Sequence, residues 1–214
     1  MYALKHRINT CVMALIATWC TICLNHTAHG QEANSSLKDR DGNMYTVKIM
    51  LDNKQWMTDN LNTNIAGSYC YQDSALNCRQ YGRLYTWEKA KTGCTLLGDG
   101  WRLPADEEWQ QMTSRYGGVY GDSGDSGKTA YQSLTSGGTA QFNALLGGGR
   151  GSERDGYGRL QAHGFYWAST ESDTGTAWFY NFGKGGGRLY RQKDGEKYRA
   201  FSVRCVRDTG NVKE

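Results

Sequence analysis

The sequence contains one proline and only four histidines in 214 residues. Three of the histidines (His6, His26 and His29) lie within the first thirty positions, so His163 alone belongs to the rest of the chain. A metal site built from several histidines is therefore excluded there, and a Ser-His-Asp or Cys-His catalytic group would depend on this one side chain. The Gly-x-Ser-x-Gly motif of many hydrolases is also missing.

The chain also has little net charge and no run of basic residues. Its formal charge is +4 at pH 7, and without the first thirty residues, which contain Lys5 and Arg7, it falls to +2. Proteins that bind nucleic acid usually carry a strongly basic surface, so this composition argues against a nucleic-acid partner.

The first thirty residues have the composition of a secretory signal peptide. A basic start precedes an apolar stretch at positions 12–24, and Ala28-His29-Gly30 has small residues where a signal peptidase cleaves. An uncleaved membrane anchor is the weaker alternative, because a spanning helix needs about 20 apolar residues. A lipoprotein is disfavoured because neither Cys20 nor Cys23 follows a Leu-x-small sequence. We expect export, a mature chain from Gln31 without a membrane span, and a secreted, periplasmic or cell-surface location.

Four cysteines remain beyond the signal peptide, at Cys70, Cys78, Cys94 and Cys205. An even number in an exported chain predicts two disulfides. Three pairings are possible and the sequence alone does not choose among them. We favour Cys70–Cys78, which closes a short loop, and Cys94–Cys205, which closes a long one. A zinc site is the alternative, but the Cys-x-x-Cys spacing that it favours is missing.

Hydrophobic periodicity predicts the first half of the fold. Residues 31–38 are polar and predict a flexible leader. Alternation over 44–49 and the turn after it predict a strand and a hairpin, and residues 60–80 are typical of a loop. Apolar residues three apart predict a short helix over 84–91, ended by Gly93. A second helix follows Pro104, with an acidic first turn and an apolar stripe that ends at Gly117-Gly118.

The second half is rich in glycine and then in strands. Residues 117–158 have little periodicity and predict a long irregular segment. Alternating or aromatic runs then predict strands at 165–168, 177–182, 188–190 and 200–206. In the last run Phe201, Val203 and Cys205 share one face, and Ser202 and Arg204 share the other. This order predicts one α+β domain over residues 39–208, followed by a tail at 209–214.

Several motifs occur in the order of a known family. They are Asp41-Gly42-Asn43, Trp56-Met57 with Asn60-Leu61, Tyr69-Cys70-Tyr71, Tyr81-Gly82-Arg83-Leu84-Tyr85-Thr86-Trp87, Gly100-Trp101-Arg102-Leu103-Pro104, Glu108-Trp109, Trp167-Ala168-Ser169-Thr170-Glu171 and Phe201-Ser202-Val203-Arg204-Cys205-Val206-Arg207-Asp208. Together they resemble the Fibrobacter succinogenes major paralogous domain, which is common in exported proteins of Bacteroidetes and Fibrobacteres. The resemblance spans residues 39–208 and implies a C-type lectin-like fold, with two helices packed on a twisted antiparallel sheet and long glycine-rich loops. That fold's long disulfide joins a helix-proximal cysteine to the last strand, which supports Cys94–Cys205.

Two groups of proteins related to that fold suggest different functions, one catalytic and one ligand-binding. The Arg102-Leu103-Pro104 to Glu108-Trp109 run resembles formylglycine-generating enzymes, but these need a reactive copper-binding cysteine pair, and Cys205 is already assigned to a disulfide. Bacterial ligand-binding proteins diversified by retroelements instead carry variable residues on the sheet and loops before a terminal Val-Arg motif. By that analogy, the ligand-binding candidates of this chain are Trp178, Tyr180, Asn181, Arg188 and Tyr190.

Acidic residues offer two further candidate sites. Asp122 and Asp125 supply oxygen ligands of the kind that calcium prefers, with Glu153 and Asp155 as further candidates, although the spacing is not that of an EF-hand. The alternative is a solvated loop, and we expect no other cofactor. The glycines near Lys128 do not have the phosphate-loop spacing. Glu171 is a candidate for a glycosidase carboxylate pair, and its structural alternative is to brace the end of a strand.

The aromatic residues that are not in the core indicate a ligand site more strongly than the acidic residues do. Tryptophans in strands and helices are first of all core residues, so we expect Trp56, Trp87, Trp101, Trp109 and Trp167 to be buried. The sequence as a whole predicts an exported, non-catalytic binding or adhesion module for a glycan or protein ligand. The alternatives are a secreted carbohydrate-active enzyme and a structural subunit of a cell-surface assembly.

Overall fold

The computed structural model describes residues 35–210. The predicted signal peptide, residues 31–34 of the predicted leader and residues 211–214 of the predicted tail lie outside these. The second half of the leader is not a loose segment, because Ser35–Lys38 forms a strand paired antiparallel with residues 44–47. None of the helices among the described residues has the length and apolar character needed to cross a membrane.

The described residues form four α-helices and twelve strands, a mixed α and β fold. The helices are α1 (Ala75–Tyr81), α2 (Trp87–Thr95), α3 (Asp106–Ser114) and α4 (Lys128–Leu134). The strands are β1 (Ser35–Lys38), β2 (Met44–Ile49), β3 (Lys54–Met57), β4 (Ser68–Tyr69), β5 (Leu84–Thr86), β6 (Gly147–Arg150), β7 (Tyr157–Leu160), β8 (His163–Glu171), β9 (Thr176–Gly183), β10 (Arg188–Glu196), β11 (Ala200–Phe201) and β12 (Val206–Asp208).

The strands form two sheets. The smaller has the order β1-β2-β3-β12, so the predicted hairpin at 44–57 is confirmed and the end of the chain pairs with it. The larger has the order β10-β9-β8-β6-β11-β5-β4, with β7 paired to β6. Its three longest strands, β8, β9 and β10, are antiparallel neighbours, whereas β6 meets β8 in parallel.

The helix after Pro104 forms for the reasons the sequence gives. It begins at Asp106, and the Glu108 carboxylate accepts a hydrogen bond from the Ala105 backbone N–H at 2.9 Å, which satisfies a group at the helix start. Three acidic residues occupy its first turn, where the helix dipole favours negative charge. On its inner face, Trp109 and Met112 are fully buried, as the predicted stripe requires.

The other predicted helix and two segments that were predicted to be irregular need correction. The predicted helix at 84–91 is strand β5 followed by α2, which continues past Gly93. Gly93 does not end the helix; a Cβ atom there would lie 2.7 Å from the Leu61 side chain, so any other residue would force that buried side chain to shift. The segments 60–80 and 117–158 contain α1 and α4, which makes four helices in the described chain rather than two. Both missed helices have only seven residues, too short for a clear apolar repeat.

The large sheet separates two apolar cores. One contains Trp87, Trp101, Trp167, Phe179 and Phe201, and the other contains Trp56, Trp109, Tyr166, Tyr180 and Phe182. All five tryptophans predicted to be buried are at most 3% exposed.

The structure contains both favoured disulfides, Cys70–Cys78 and Cys94–Cys205. The longer bridge spans 111 residues and connects α2 to the segment just before β12. Cys94 and Cys205 are both fully buried, within the core that contains Trp101.

The predicted strand at 200–206 is interrupted, and both of its faces are buried. Only β11 and the first residue of β12 are strand, and all residues from Ala200 to Val206 are buried. Arg204 is 0% exposed and donates hydrogen bonds to Asn60 Oδ1 at 2.7 Å and to the Phe142 and Asn143 carbonyls at 2.8 and 2.7 Å. These oxygens take the place of water, which allows an arginine side chain to lie fully buried.

We predict that replacing Arg204 with methionine lowers the free energy of unfolding by roughly 3–5 kcal/mol, because it leaves several buried oxygens without a donor. Urea denaturation measures this, and Arg115→Met, at an exposed position on the end of α3, should change stability by less than about 0.5 kcal/mol. Equal stability of the two variants would contradict the role given to Arg204.

We also predict that the two disulfides stabilise the fold unequally. In the chain-entropy view, Cys94→Ala with Cys205→Ala should cost on the order of 4–5 kcal/mol, and Cys70→Ala with Cys78→Ala about 2–3 kcal/mol, because a longer loop loses more entropy when it is closed. Paired urea titrations give both values. A larger loss from the short bridge would count against this order.

Candidate ligand-binding cleft

A cleft of about 740 Å³ opens on one face of the large sheet. Strands β8, β9 and β10 contribute residues from one side, and β6, β7 and the loop between them from the other. Its lining includes aromatic, amide and charged side chains together with several glycines: Arg150, Asp155, Arg159, His163, Phe165, Phe179, Asn181, Gln192, Asp194, Glu196, Arg199 and Phe201.

Strand alternation places the floor of the cleft on a single face. Phe179 and Asn181 are two apart in β9, and the register sets Asn181 opposite Phe165 and Phe179 opposite Gln192. Paired residues of antiparallel strands point to the same side, so these four side chains converge. Phe165 also packs against Phe201, with ring centroids 5.0 Å apart, which gives the floor an apolar base.

A row of polar side chains crosses this floor. The Asn181 amide donates to Gln192 Oε1 at 2.9 Å, and its carbonyl oxygen lies 2.8 Å from His163 Nδ1. An amide oxygen is an acceptor, so His163 Nδ1 carries the proton and, in the neutral ring, Nε2 is an acceptor. The imidazole is stacked on Phe165 at 5.4 Å and 11°. The row is therefore fixed in orientation by its own hydrogen bonds.

Gly195 allows β10 to lie close to two aromatic rings beneath the cleft. A Cβ atom at this position would lie 2.6 Å from the Trp167 ring and 2.8 Å from the Phe179 ring, so any other residue would force the strand away. The pairing of β10 with β9 shifts its register between Gln192 and Gly195. The irregular strand lets both residues line the cleft, although they are an odd number of positions apart.

The charged groups of the cleft are only partly paired with one another. Arg199 forms an ion pair with Glu196. Asp155 accepts hydrogen bonds from the Ser152 side chain and backbone, which lower the pKa of its carboxyl group. Arg150 has no carboxylate within ion-pair distance among the described residues.

Three of the five predicted ligand-binding residues lie on the cleft face. Asn181 lines the cleft itself. Tyr190 is opposite Asn181 in the sheet, and a Cβ atom at Gly183 would lie 3.4 Å from the Tyr190 ring and 3.5 Å from the His163 ring, so both rings flank that glycine. Arg188 is two residues before Tyr190, and its guanidinium lies 5.5 Å from the Tyr120 ring, which also packs on Tyr190. This partly exposed group extends the cleft face toward the end of β10.

The other two predicted residues, Trp178 and Tyr180, do not line the cleft. They alternate with Phe179 and Asn181 and so point to the opposite face, into the core that contains Trp109. Tyr180 is fully buried and its hydroxyl donates to Asp106 Oδ1 at 3.0 Å. Burial and the neighbouring Asp106 charge raise the pKa of Tyr180. Trp178 lies under the Arg191 guanidinium at 3.7 Å, and Arg191 is ion-paired with Asp106.

Two of the acidic candidates, Asp125 and Glu171, have hydrogen-bond or ion-pair partners within the fold. Within residues 35–210, no three His, Cys, Asp or Glu side chains form a group that could hold a metal ion. The Asp125 oxygens already accept hydrogen bonds from the Gly127 and Thr129 backbone, at 3.0 and 2.7 Å, and so hold the entry to α4. Glu171 is exposed and forms an ion pair with Lys197 at 3.1 Å.

The sequence reasoning missed most of the cleft. Phe165 and Phe179 lie inside predicted strands without being candidates, His163 is considered only as the one histidine on which a catalytic group would depend, and Arg150 lies in the segment predicted to be irregular. The parity of the predicted strand at 177–182 was the available signal, because it separates Asn181 from Tyr180.

We predict that the Asp125 carboxyl group titrates with a pKa of about 2, because hydrogen bonds from Thr129 stabilise its charged form. The stabilisation that the charged carboxylate provides should then be fully present above pH 4, which is near the usual pKa of an aspartate. It should be lost as the pH falls toward 2. Carbon-detected NMR titration measures the pKa, and Thr129→Val should raise it. A midpoint near pH 4 in the unmodified chain would contradict the arrangement.

Comparison with known families agrees with the motifs in the sequence. The profile of the Fibrobacter succinogenes major domain matches residues 47–207, which include both disulfides, all four helices and the whole lining of the cleft. No curated protein sequence matches the chain. The chain therefore belongs to the Fibrobacter succinogenes major domain family.

Proposed function

We propose that this chain is an exported, non-catalytic binding module that takes a glycan into the cleft between β8–β10 and the β6–β7 hairpin. The observation that carries the proposal is the combination of an aromatic floor with the fixed polar row His163–Asn181–Gln192. Ligand sites are typically concave and largely apolar, with a few oriented polar groups that determine specificity.

A sugar ring suits this combination because it has an apolar C–H face and a rim of hydroxyl groups. Phe165 and the imidazole stacked on it offer flat surfaces for the C–H face. The Gln192 amide and His163 Nε2 offer a donor and an acceptor for hydroxyl groups. Gln192 and His163 are both half-buried, so their polar atoms are held at the surface of the cleft without being sealed inside the fold.

A binding role fits the carboxylates of the cleft better than hydrolysis does. Glycoside hydrolysis needs two available carboxyl groups about 5–10 Å apart. Two of the three lining carboxylates are engaged, Glu196 by Arg199 and Asp155 by Ser152. This leaves Asp194 without a second free carboxylate as its partner in the cleft.

We also propose that the fold is C-type lectin-like and that the chain acts outside the cytoplasm. Helices α2 and α3 are both fixed to β8, since Trp87 Nε1 donates to the Ala168 carbonyl at 2.8 Å and Trp109 Nε1 donates to the Trp167 carbonyl at 3.3 Å. The Cys94–Cys205 bridge joins the first of these helices to the end of the chain. Two disulfides support an oxidising location, such as the periplasm, the cell surface or the medium.

The direct test is an array of glycans and proteins probed with residues 31–214. We expect saturable binding to a glycan, and Gln192→Ala should weaken it about tenfold, because one hydrogen bond to the ligand is lost. Gln111→Ala, an exposed glutamine on α3 outside the cleft, is the matched control and should bind normally. Binding to proteins alone, or equal binding by both variants, would overturn the assignment of the cleft to a glycan.

A further inference from the structure

Arg150 is held in the cleft wall with its guanidinium oriented by aromatic rings. It is the last residue of β6, where its backbone pairs with Tyr157 on one side and with Ala200 on the other. The guanidinium carbon lies 4.1 Å from the centroid of the Tyr69 ring and 5.8 Å from that of Tyr157. These distances are within the range of cation–π attraction.

The rings around Arg150 are themselves fixed. The Tyr157 hydroxyl donates to Asp73 Oδ1 at 2.6 Å, and the Tyr157 ring packs on Tyr71 at 5.2 Å. Tyr71 and Asp73 belong to a short turn that the Cys70–Cys78 disulfide closes. The guanidinium is therefore positioned before any ligand arrives, which reduces the entropy lost on binding.

The charge of Arg150 lacks an anionic partner in the described part of the chain. Arg199, the other half-buried arginine of the cleft, is paired with Glu196, and Asp73 accepts its hydrogen bond from Tyr157. A half-buried guanidinium has lost part of its hydration, and aromatic faces replace only some of it. Its N–H groups form a fork that matches two oxygens of one anionic group.

We infer that the ligand of the cleft is an acidic saccharide and that Arg150 determines this specificity. The inference rests on the proposed glycan-binding function and names the class of glycan. Arg150 pairs with a carboxylate or sulfate oxygen pair on the sugar, while the His163–Asn181–Gln192 row binds hydroxyl groups across the cleft. Carboxylate and sulfate share this chemistry, and the experiment separates them.

The test uses residues 31–214 and glycans in matched pairs. Uronic-acid oligosaccharides are compared with their carboxyl-reduced forms, and sulfated oligosaccharides with their desulfated forms. We expect at least one acidic member to bind ten times or more tightly than its neutral partner, with a preference that falls as salt rises. Arg150→Met should bring the acidic ligand to the affinity of the neutral one, and Arg150→Lys should keep part of the preference because it keeps the charge but not the fork.

Arg154→Met is the matched control, because this exposed arginine lies in the β6–β7 loop and does not line the cleft. It should retain the full preference for the acidic glycan. Thermal unfolding of each variant checks the fold, and if Arg150→Met is not folded, Arg150→Lys and the salt dependence decide the result. Equal affinity for acidic and neutral partners, or an acidic preference unchanged in the folded Arg150 variants, would overturn the inference and leave the glycan-binding proposal in place. If no glycan on the array binds, the proposed function itself fails.

Discussion

One buried cation, the Arg204 guanidinium, connects segments that are far apart in the chain. Its donors bind Asn60 Oδ1 and the carbonyls of Met57, Phe142 and Asn143, all of them uncharged acceptors. Burial lowers the pKa of Arg204, yet an arginine in a folded protein remains charged at neutral pH. The charge must therefore be solvated by the protein, and it is solvated only when the β3 end, the 142–143 loop and the last segment have all come together. Such a requirement favours one arrangement of these three segments over others.

The position of Arg204 also explains how the end of the chain supports the cleft. The next residue, Cys205, is bonded to Cys94 in α2, so the last segment is fixed both by hydrogen bonds and by a covalent bond. A few positions earlier, Ser202 donates its backbone N–H to the Phe165 carbonyl at 3.0 Å, which attaches the segment to β8. Phe201 is thereby held on the cleft floor against Phe165. The floor is thus supported by a segment that hydrogen bonds and a disulfide both hold in place.

The sequence predicted those features that depend on neighbouring residues. The hairpin at 44–57, the helix after Pro104 and the buried tryptophans follow from local periodicity and turn chemistry, and the family resemblance supported the long disulfide. The burial of Arg204 could not be predicted because its acceptors are up to 147 residues away, and no pattern within the segment indicates them. In the same way, the analogy that made Tyr180 a ligand-binding candidate could not show its burial, because its partner Asp106 lies 74 residues earlier. To predict the cleft, one must know which strands pair with β6, β7 and β10 as well as where the strands lie. Strand pairing depends on the whole chain and not on a local pattern.

Both faces of the large sheet carry core residues, but strand parity gives the two faces different polar groups. On one face, Asp106, Arg191 and Tyr180 satisfy one another's charges and hydrogen bonds within the fold. On the other, the half-buried His163 and Gln192 side chains are joined through Asn181 and lie outside the apolar clusters. Such residues of the cleft surface can be changed while the helices, the disulfides and Arg204 keep the scaffold unchanged. One fold can carry different sites in different members of a family, so the proposed ligand of this chain follows from its cleft and not from its fold.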